Sequence, residues 1–336
     1  LILATGFPVQ YRLLRAVAAV FDRVIVAGND SAGLLRWSRF CRKFHALSDT
    51  AFNEPGLVAE VEDICTRHSV DLIIPGDAIA TRWLSVERDR LSRPCFPTPS
   101  VSAFDQLNDK WLFYRLCQDL DIPTPPTWYF DNKADLQTFL KMNPDTLPGV
   151  VKPLALYGGL GIQTIERVED AAVVDYVPVL FQSFVPGRDI DISVIACEGR
   201  VDHYCVYIRQ DGRFHFINNA PYLQQVEAMV AALNVSGVLN FDARLDSAGT
   251  VHMLECNPRF WFSMDAAQVC GMNFVAETLC PTSPCRNPLA GSSVGQLRCI
   301  ARTAFKTRSI SANDRRMLAF TASDPIPRFL GKSTFT

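Results

Sequence analysis

Residues 238–259 read VLNFDARLDSAGTVHMLECNPR. The first eight alternate: Leu239, Phe241, Ala243 and Leu245 take one side of an extended chain, and Asn240, Asp242 and Arg244 the other, because successive side chains of a strand point to opposite faces. Asp246-Ser247-Ala248-Gly249 supplies turn residues, and 251–257 returns as a second strand. A four-residue loop pairs Leu245 with Thr250. Asn240 then faces Glu255, and Asp242 lies one diagonal step from Glu255, about 7–8 Å or less across the ladder. Glu255 and Asn257 share that face. Three hard oxygen donors without His or Cys suit Mg²⁺ better than zinc. The competing reading is a solvated polar face of an ordinary hairpin, against which stand the apolar flanks and the immediate Pro258-Arg259.

Upstream lies a second group: Val150-Val151-Lys152-Pro153, then Leu154-Ala155-Leu156-Tyr157-Gly158-Gly159-Leu160-Gly161, then Ile162-Gln163-Thr164-Ile165. Glycines at 158, 159 and 161 let backbone N–H groups approach an anion. A Walker loop or a Rossmann turn leads from strand into helix, whereas this loop joins two strands and carries no G-K-S/T. A plain hairpin turn is the alternative. Lys152, at the end of a strand just before the loop, favours a phosphate.

The first hundred residues alternate strand and helix. Leu1–Ala4, Val24–Ala27 and Asp71–Pro75 are short apolar strands, while Leu13, Leu14, Val17, Ala18 and Phe21, and then Leu57, Val58, Val61, Ile64 and Cys65, follow helical spacing. Apolar strands separated by amphipathic helices predict a parallel sheet covered on both faces. A single Gly6 follows the first strand where a dinucleotide site would carry G-x-G-x-x-G, which argues against such a site. Pro94, Pro97 and Pro99 mark the end of this region, a helix is expected over 109–120, and Ile122–Pro126 is an extended connector. From Val150 the chain becomes rich in strands, with helices expected near 169–175, 222–233 and 264–279.

Composition bounds the rest. At ~150 residues per domain, 336 residues make about two domains. Lys+Arg 33 against Asp+Glu 35 leaves a formal charge of -2, without the basic surplus of a dedicated nucleic-acid binder. Eleven cysteines are scattered, and the closest pair, Cys280 and Cys285, lacks a C-x-x-C spacing, so most are expected to be core thiols of a reducing compartment. No run approaches the roughly 18 apolar residues of a membrane span, and Leu1–Gly6 is too short for a signal sequence. A cytoplasmic location is expected. The chain opens on Leu rather than Met, so a few residues are expected before it.

Taken in order, Lys110 in Asn108-Asp109-Lys110, Lys152 in V-V-K-P, the loop Y-G-G-L-G-I, the segment Phe181-Gln182-Ser183-Phe184-Val185-Pro186-Gly187-Arg188-Asp189 and Glu255-Cys256-Asn257-Pro258-Arg259 resemble the ATP-grasp superfamily. Thirteen residues separate Asp242 from Glu255, which also fits. The N-P-R-F-W after the glutamate is most similar to the predicted carboxylate–amine ligases, including the carbamoyl-phosphate-synthase-like ones. The resemblance implies an α/β Rossmann-like (pre-ATP-grasp) N-terminal domain over 1–100, followed by an α+β ATP-grasp domain of two subdomains. These are a small lid with the glycine loop over 101–185 and a C-terminal subdomain with the metal site over 186–290. Residues 291–336 remain an extension without an assigned role.

The same resemblance implies roles. Lys110 and Lys152 contact ATP phosphates, and Gly158, Gly159 and Gly161 close over them. Gln182 meets the adenine edge, Ser183 and Val185 offer it backbone hydrogen bonds, and Asp189 takes the ribose hydroxyls. Asp242, Glu255 and Asn257 hold one or two Mg²⁺ ions, with Mn²⁺ suited to the same ligands. Arg259, with Lys152, serves catalysis by stabilising the transferring group. Gln182 stands where many members have Glu, and Asp242 is one methylene shorter than the usual Glu; both keep the needed donor or acceptor type. Arg188, Arg209 and Arg244 read more readily as solvated or ion-paired than as carboxylate-binding. The implied activity is that of an ATP-dependent ligase that joins a small-molecule carboxylate to an amine. The alternatives are an ATP-grasp kinase and a non-catalytic ATP-binding regulator. No nucleic-acid or membrane partner is expected, and the sequence leaves room for a homodimer.

Overall fold

The computed structural model describes residues 1–48, 52–154, 160–218, 220–280 and 287–330. They form two compact units, one of residues 1–104, 191–240 and 257–336, the other of residues 105–190 and 241–256. Fourteen strands run through the described chain: β1 (Ile2–Ala4), β2 (Val24–Gly28), β3 (Cys41–Ala46), β4 (Ile74–Pro75), β5 (Thr127–Phe130), β6 (Gly149–Pro153), β7 (Gln163–Ile165), β8 (Val179–Ser183), β9 (Arg188–Cys197), β10 (Arg200–Gln210), β11 (Arg213–Ile217), β12 (Gly237–Leu245), β13 (Val251–Asn257) and β14 (Ser293–Gly295).

In the first unit β1 to β4 make a parallel sheet of order β3-β2-β1-β4, with Ile2 opposite Val26 on one side and Ile74 on the other. Alternate residues serve opposite faces. Ile2, Ala4, Val24 and Val26 join a cluster with Leu13, Leu14 and Val17 of the helix Pro8–Ala18. Leu3, Ile25 and Ala27 join another with Leu57, Val61, Ile64, Trp83 and Leu84 of the helices Leu57–His68 and Ala78–Glu87. This is the sheet covered on both faces that the continuous apolar strands predict.

The second unit holds a sheet of order β5-β8-β6-β7. The central β8 pairs antiparallel with β5 and β6, setting Gln182 opposite Thr127 and Val150. Leu136 and Leu140 of the helix Lys133–Met142 pack with Val151, Val179 and Phe181 on one face of it. A third sheet has the order β13-β12-β9-β10-β11-β14. Among the described residues no disulfide forms, and Cys65, Cys117, Cys205, Cys256 and Cys299 are buried. No helix among them is long and apolar enough to cross a membrane.

Two expectations change in detail. The helix read over 264–279 is two helices, Met264–Cys270 and Phe274–Leu279, because Gly271 takes φ +116° between them. The C-terminal region, featureless by pattern, forms the helices Leu297–Thr307, Ala312–Ala322 and Pro325–Leu330 and is tied down through buried acids. Asp314 accepts both terminal nitrogens of Arg213 (3.2 and 2.7 Å) and the Gly295 N–H (2.8 Å). Asp324 accepts from Ser38 Oγ at 2.5 Å and Arg39 N–H at 3.0 Å, and its carbonyl accepts from Tyr11 Oη at 2.6 Å.

Burial pushes the Asp314 carboxyl up, but Arg213, the Gly295 N–H and Ser311 outweigh it and hold the carboxyl below its ordinary value. A carboxyl lowered by folding stabilises at every pH above its unfolded value and loses that contribution as pH falls through the folded one. Asp314→Ala leaves Arg213 half-buried without its carboxylate, so urea unfolding at pH 7 should show a loss of about 3–5 kcal/mol. The gap between variant and wild type should close as pH drops below the carboxylate range.

Candidate active site

The turn that joins β12 to β13 decides where the acidic side chains go. Gly249 donates its N–H to the Asp246 carbonyl (3.2 Å), and Asp246 donates to the Thr250 carbonyl (3.0 Å). With Gly249 at φ +86°, this is a three-residue loop closed by a bulged glycine, fixed further by Asp246 Oδ1 accepting from Ala248 and Thr250 N–H. The expected four-residue loop is therefore corrected, and the register near the turn moves by one. That shift alone would carry Glu255 to the wrong face. The buried–exposed alternation of β13 breaks between Leu254 and Glu255, both half-buried, and Glu255 meets Lys110, while both Glu255 and Asp242 act on the charge of Lys152. His252 stays outside the cluster, paired with Asp246 at 2.9 Å.

Two lysines of the second unit meet these carboxylates. Lys110 opens the helix Lys110–Asp119, whose first turn is capped by Asp109 accepting from Trp111 and Leu112 N–H. Its own N–H donates to the Leu154 carbonyl (3.1 Å), and its Nζ lies 3.2 Å from Glu255 Oε2 with only 8% of the side chain exposed. Lys152, on β6, donates its Nζ to Gln182 Oε1 at 2.7 Å, and Gln182 Nε2 donates to Thr127 Oγ1 at 2.9 Å. Burial drives the Lys152 ammonium down to about 8, helped by Lys110 and opposed by Glu255 and Asp242. Burial pushes Glu255 the other way, yet Lys110, Lys152 and the Asp242 contact together leave it below the ordinary carboxyl value.

The other expected residues fall at stated places. Ser183 ends β8, with its N–H on the Pro126 carbonyl, and the Val185 carbonyl accepts from Arg244 Nε at 3.1 Å. Asp189 is paired with Arg244 at 2.6 Å. Gly161 takes φ +75°, and its carbonyl accepts from Tyr176 Oη at 2.6 Å. Gly158 and Gly159 lie outside the described residues. Asn257 and Arg259 belong to the first unit, where Arg259 Nη2 donates to Asn257 Oδ1 (2.7 Å) and Nη1 to the Phe260 carbonyl (2.9 Å). Arg244, read from sequence as solvated or ion-paired, is ion-paired, to Asp189; its bonds to the Val185 and Gly187 carbonyls are what that reading did not include.

Within the first unit, Asp77 caps the helix Ala78–Glu87 through the Ala80 N–H (3.0 Å) and accepts from Thr5 N–H (2.8 Å) and Gln10 Nε2 (2.6 Å). These residues gather at the carboxyl ends of β1 and β4, where the strand order reverses. That is the crevice in which open parallel sheets bind ligands.

Residues 175–281 match a family model described as ATP-grasp in the biosynthetic pathway with Ter operon. More than four fifths of the chain is similar in fold to each of three solved structures. One is the biotin carboxylase domain of Hydrogenobacter thermophilus 2-oxoglutarate carboxylase (12% identity, 83% of this chain and 68% of that one, TM-score 0.64). Another is L-amino acid ligase from Bacillus licheniformis (18%, 84% and 74%, TM-score 0.63). The third is carboxyaminoimidazole ribonucleotide synthase from Aspergillus clavatus (14%, 87% and 78%, TM-score 0.64). The fold is that of the ATP-grasp proteins. It agrees with the α/β N-terminal and α+β ATP-grasp organisation that the motifs imply.

In lysine side-chain NMR, Lys152 should titrate near pH 8. Gln182→Glu places a carboxylate within contact of its Nζ, which should raise that titration by about 1–3 units; an unmoved titration would detach Lys152 from residue 182.

Proposed function

We propose that this chain is an ATP-dependent ligase that activates a substrate carboxylate as an acyl phosphate and joins it to an amine. The observation that carries the reading is the buried group Lys110–Glu255–Asp242–Lys152–Gln182. Two buried ammonium groups facing two half-buried carboxylates are the equipment for holding a polyphosphate and its metal. The related structures point the same way: one holds MgADP and bicarbonate, another holds ATP.

The metal fits the donor set. Asp242 and Glu255 supply two carboxylates beside Lys152, and the Asn257 oxygen follows two residues along β13. Asp242, Glu255 and Asn257 would hold one or two Mg²⁺ ions, whose contribution is to neutralise phosphate oxygens and their growing charge. Lys110 and Lys152 bind the phosphates. Gln182, the backbone of Ser183 and Val185, and Asp189 receive the nucleoside. The resemblance assigns the glycine loop 158–161 to the phosphates.

The chemistry asks the protein for position and charge, without a side-chain nucleophile. A carboxylate oxygen attacks the γ-phosphorus, the bond to the β-phosphate oxygen breaks, and ADP leaves with Lys152 and Lys110 offsetting its charge. The amine then attacks the acyl carbon, the carbon–oxygen bond to phosphate breaks, and the nitrogen gives up a proton. Arg259, held by Asn257, stabilises the acyl phosphate. The small-molecule substrates enter at the crevice around Gly6, Gln10 and Asp77.

Lys152→Ala and Glu255→Ala should each lower ADP release by at least about 100-fold while circular dichroism stays that of wild type. A screen of carboxylic acids against amines, read by product mass, should return an amide together with ADP and phosphate. Wild-type rates in both variants would remove the site assignment. A stable phosphorylated product without amide would make the protein a kinase.

A further inference from the structure

Arg244 commits its whole guanidinium to one short segment. Nε donates to the Val185 carbonyl (3.1 Å), Nη2 to the Gly187 carbonyl (2.9 Å) and Nη1 to Asp189 Oδ1 (2.6 Å), and the group sits 5.0 Å from the centre of the Phe184 ring. The segment joins β8 to β9, and it is pressed onto the end of β12 by its backbone as well. Gly187 takes φ +149°, and a Cβ there would fall 2.1 Å from the Leu245 carbonyl oxygen. Backbone and side chain thus seat the same loop on the same strand, in contacts made within the second unit.

The proposed function puts the two ends of a nucleoside on this loop, with the base at Val185 and the ribose at Asp189. A guanidinium is planar and presents its donors in a rigid fork, so bonds to Val185, Gly187 and Asp189 fix these three groups relative to one another. Asp189 spends Oδ1 on the arginine and keeps Oδ2 for a hydroxyl. A lysine, a point charge on a flexible stem, cannot hold all three.

We propose that Arg244 is a positioning residue that fixes the 184–189 loop and thereby aims Asp189 at the ribose, making the site select ribonucleotides over 2′-deoxyribonucleotides. The inference rests on the ATP reading above. It goes beyond it by assigning sugar discrimination to a side chain that does not itself touch the nucleotide.

Calorimetric titration of the full chain with MgATP and with Mg-2′-deoxyATP tests it, in wild type, Arg244→Lys, Arg244→Ala and Asp189→Ala. Wild type should bind MgATP about tenfold or more tightly than the deoxy form, the worth of one hydrogen bond to a charged group. Both Arg244 variants should bind MgATP about tenfold or more weakly, and in both the preference should shrink to that of Asp189→Ala. A loop that merely stabilises the fold would weaken both nucleotides equally, so an unchanged ratio in Arg244→Lys overturns the proposal. Should Arg244→Ala unfold, Arg244→Lys alone decides, since it keeps the charge and stem. A wild-type chain that binds neither nucleotide overturns the ATP reading itself, an outcome distinct from an unchanged ratio.

Discussion

The contact between Lys110 and Glu255, with Lys152 and Asp242 beside it, is the interaction on which the rest of the site depends. An unpaired ammonium or carboxylate withdrawn from water costs several kcal/mol, so these groups tolerate burial only as a set. Each comes from a different element: Lys110 from the first turn of a helix, Lys152 from β6, Asp242 from β12 and Glu255 from β13. The helix cap at Asp109 and the bond from Lys110 N–H to Leu154 position the first lysine on its backbone. The connector holds the hairpin from the other side, with Met253 N–H donating to the Pro123 carbonyl and Thr124 Oγ1 donating to the Met253 carbonyl. Moving any one element would leave a charge uncompensated.

How much of this was legible in the sequence depended on how local the cause was. The face of β12 was legible, because Leu239, Phe241, Ala243 and Leu245 alternate and are all buried. So was the parallel sheet, because its strands are uniformly apolar. The register of the hairpin was not: Asp246–Gly249 suits more than one loop length, and the left-handed Gly249 selects the three-residue form. β5 and the helix Lys133–Met142 escaped because their apolar residues, Trp128, Phe130, Phe139 and Leu140, follow too short a pattern to separate strand from helix. The C-terminal helices escaped because distant polar partners, Arg213 for Asp314 and Ser38 for Asp324, anchor them.

Arg244 illustrates the same limit at the level of one side chain. Its spacing from Asp242 placed it on the acidic face, yet an arginine on a strand is most often solvated. Its role becomes visible only through the loop that returns over the end of β12, a contact whose sequence trace is Gly187. A β-carbon there collides with Leu245. Glycine and arginine are therefore two halves of one device: the first allows the backbone to approach and the second fixes where it stops.

Gln182 bears on the charge of the whole cluster. With glutamine at this position, two lysines oppose two carboxylates and the buried group is balanced. A glutamate would add a third negative charge and hold Lys152 fully protonated. The amide keeps the same geometry, accepting from Lys152 and donating to Thr127, without that charge, and Lys152 is left near the edge of its protonated range at about 8. On the proposed reading, an incoming polyphosphate would supply the negative charge that a glutamate here would otherwise hold permanently. The lysine gains its strongest partner only when the anion arrives, so the cost of burying the ammonium is offset by the ligand rather than by a permanent carboxylate, and charge pairing becomes part of binding.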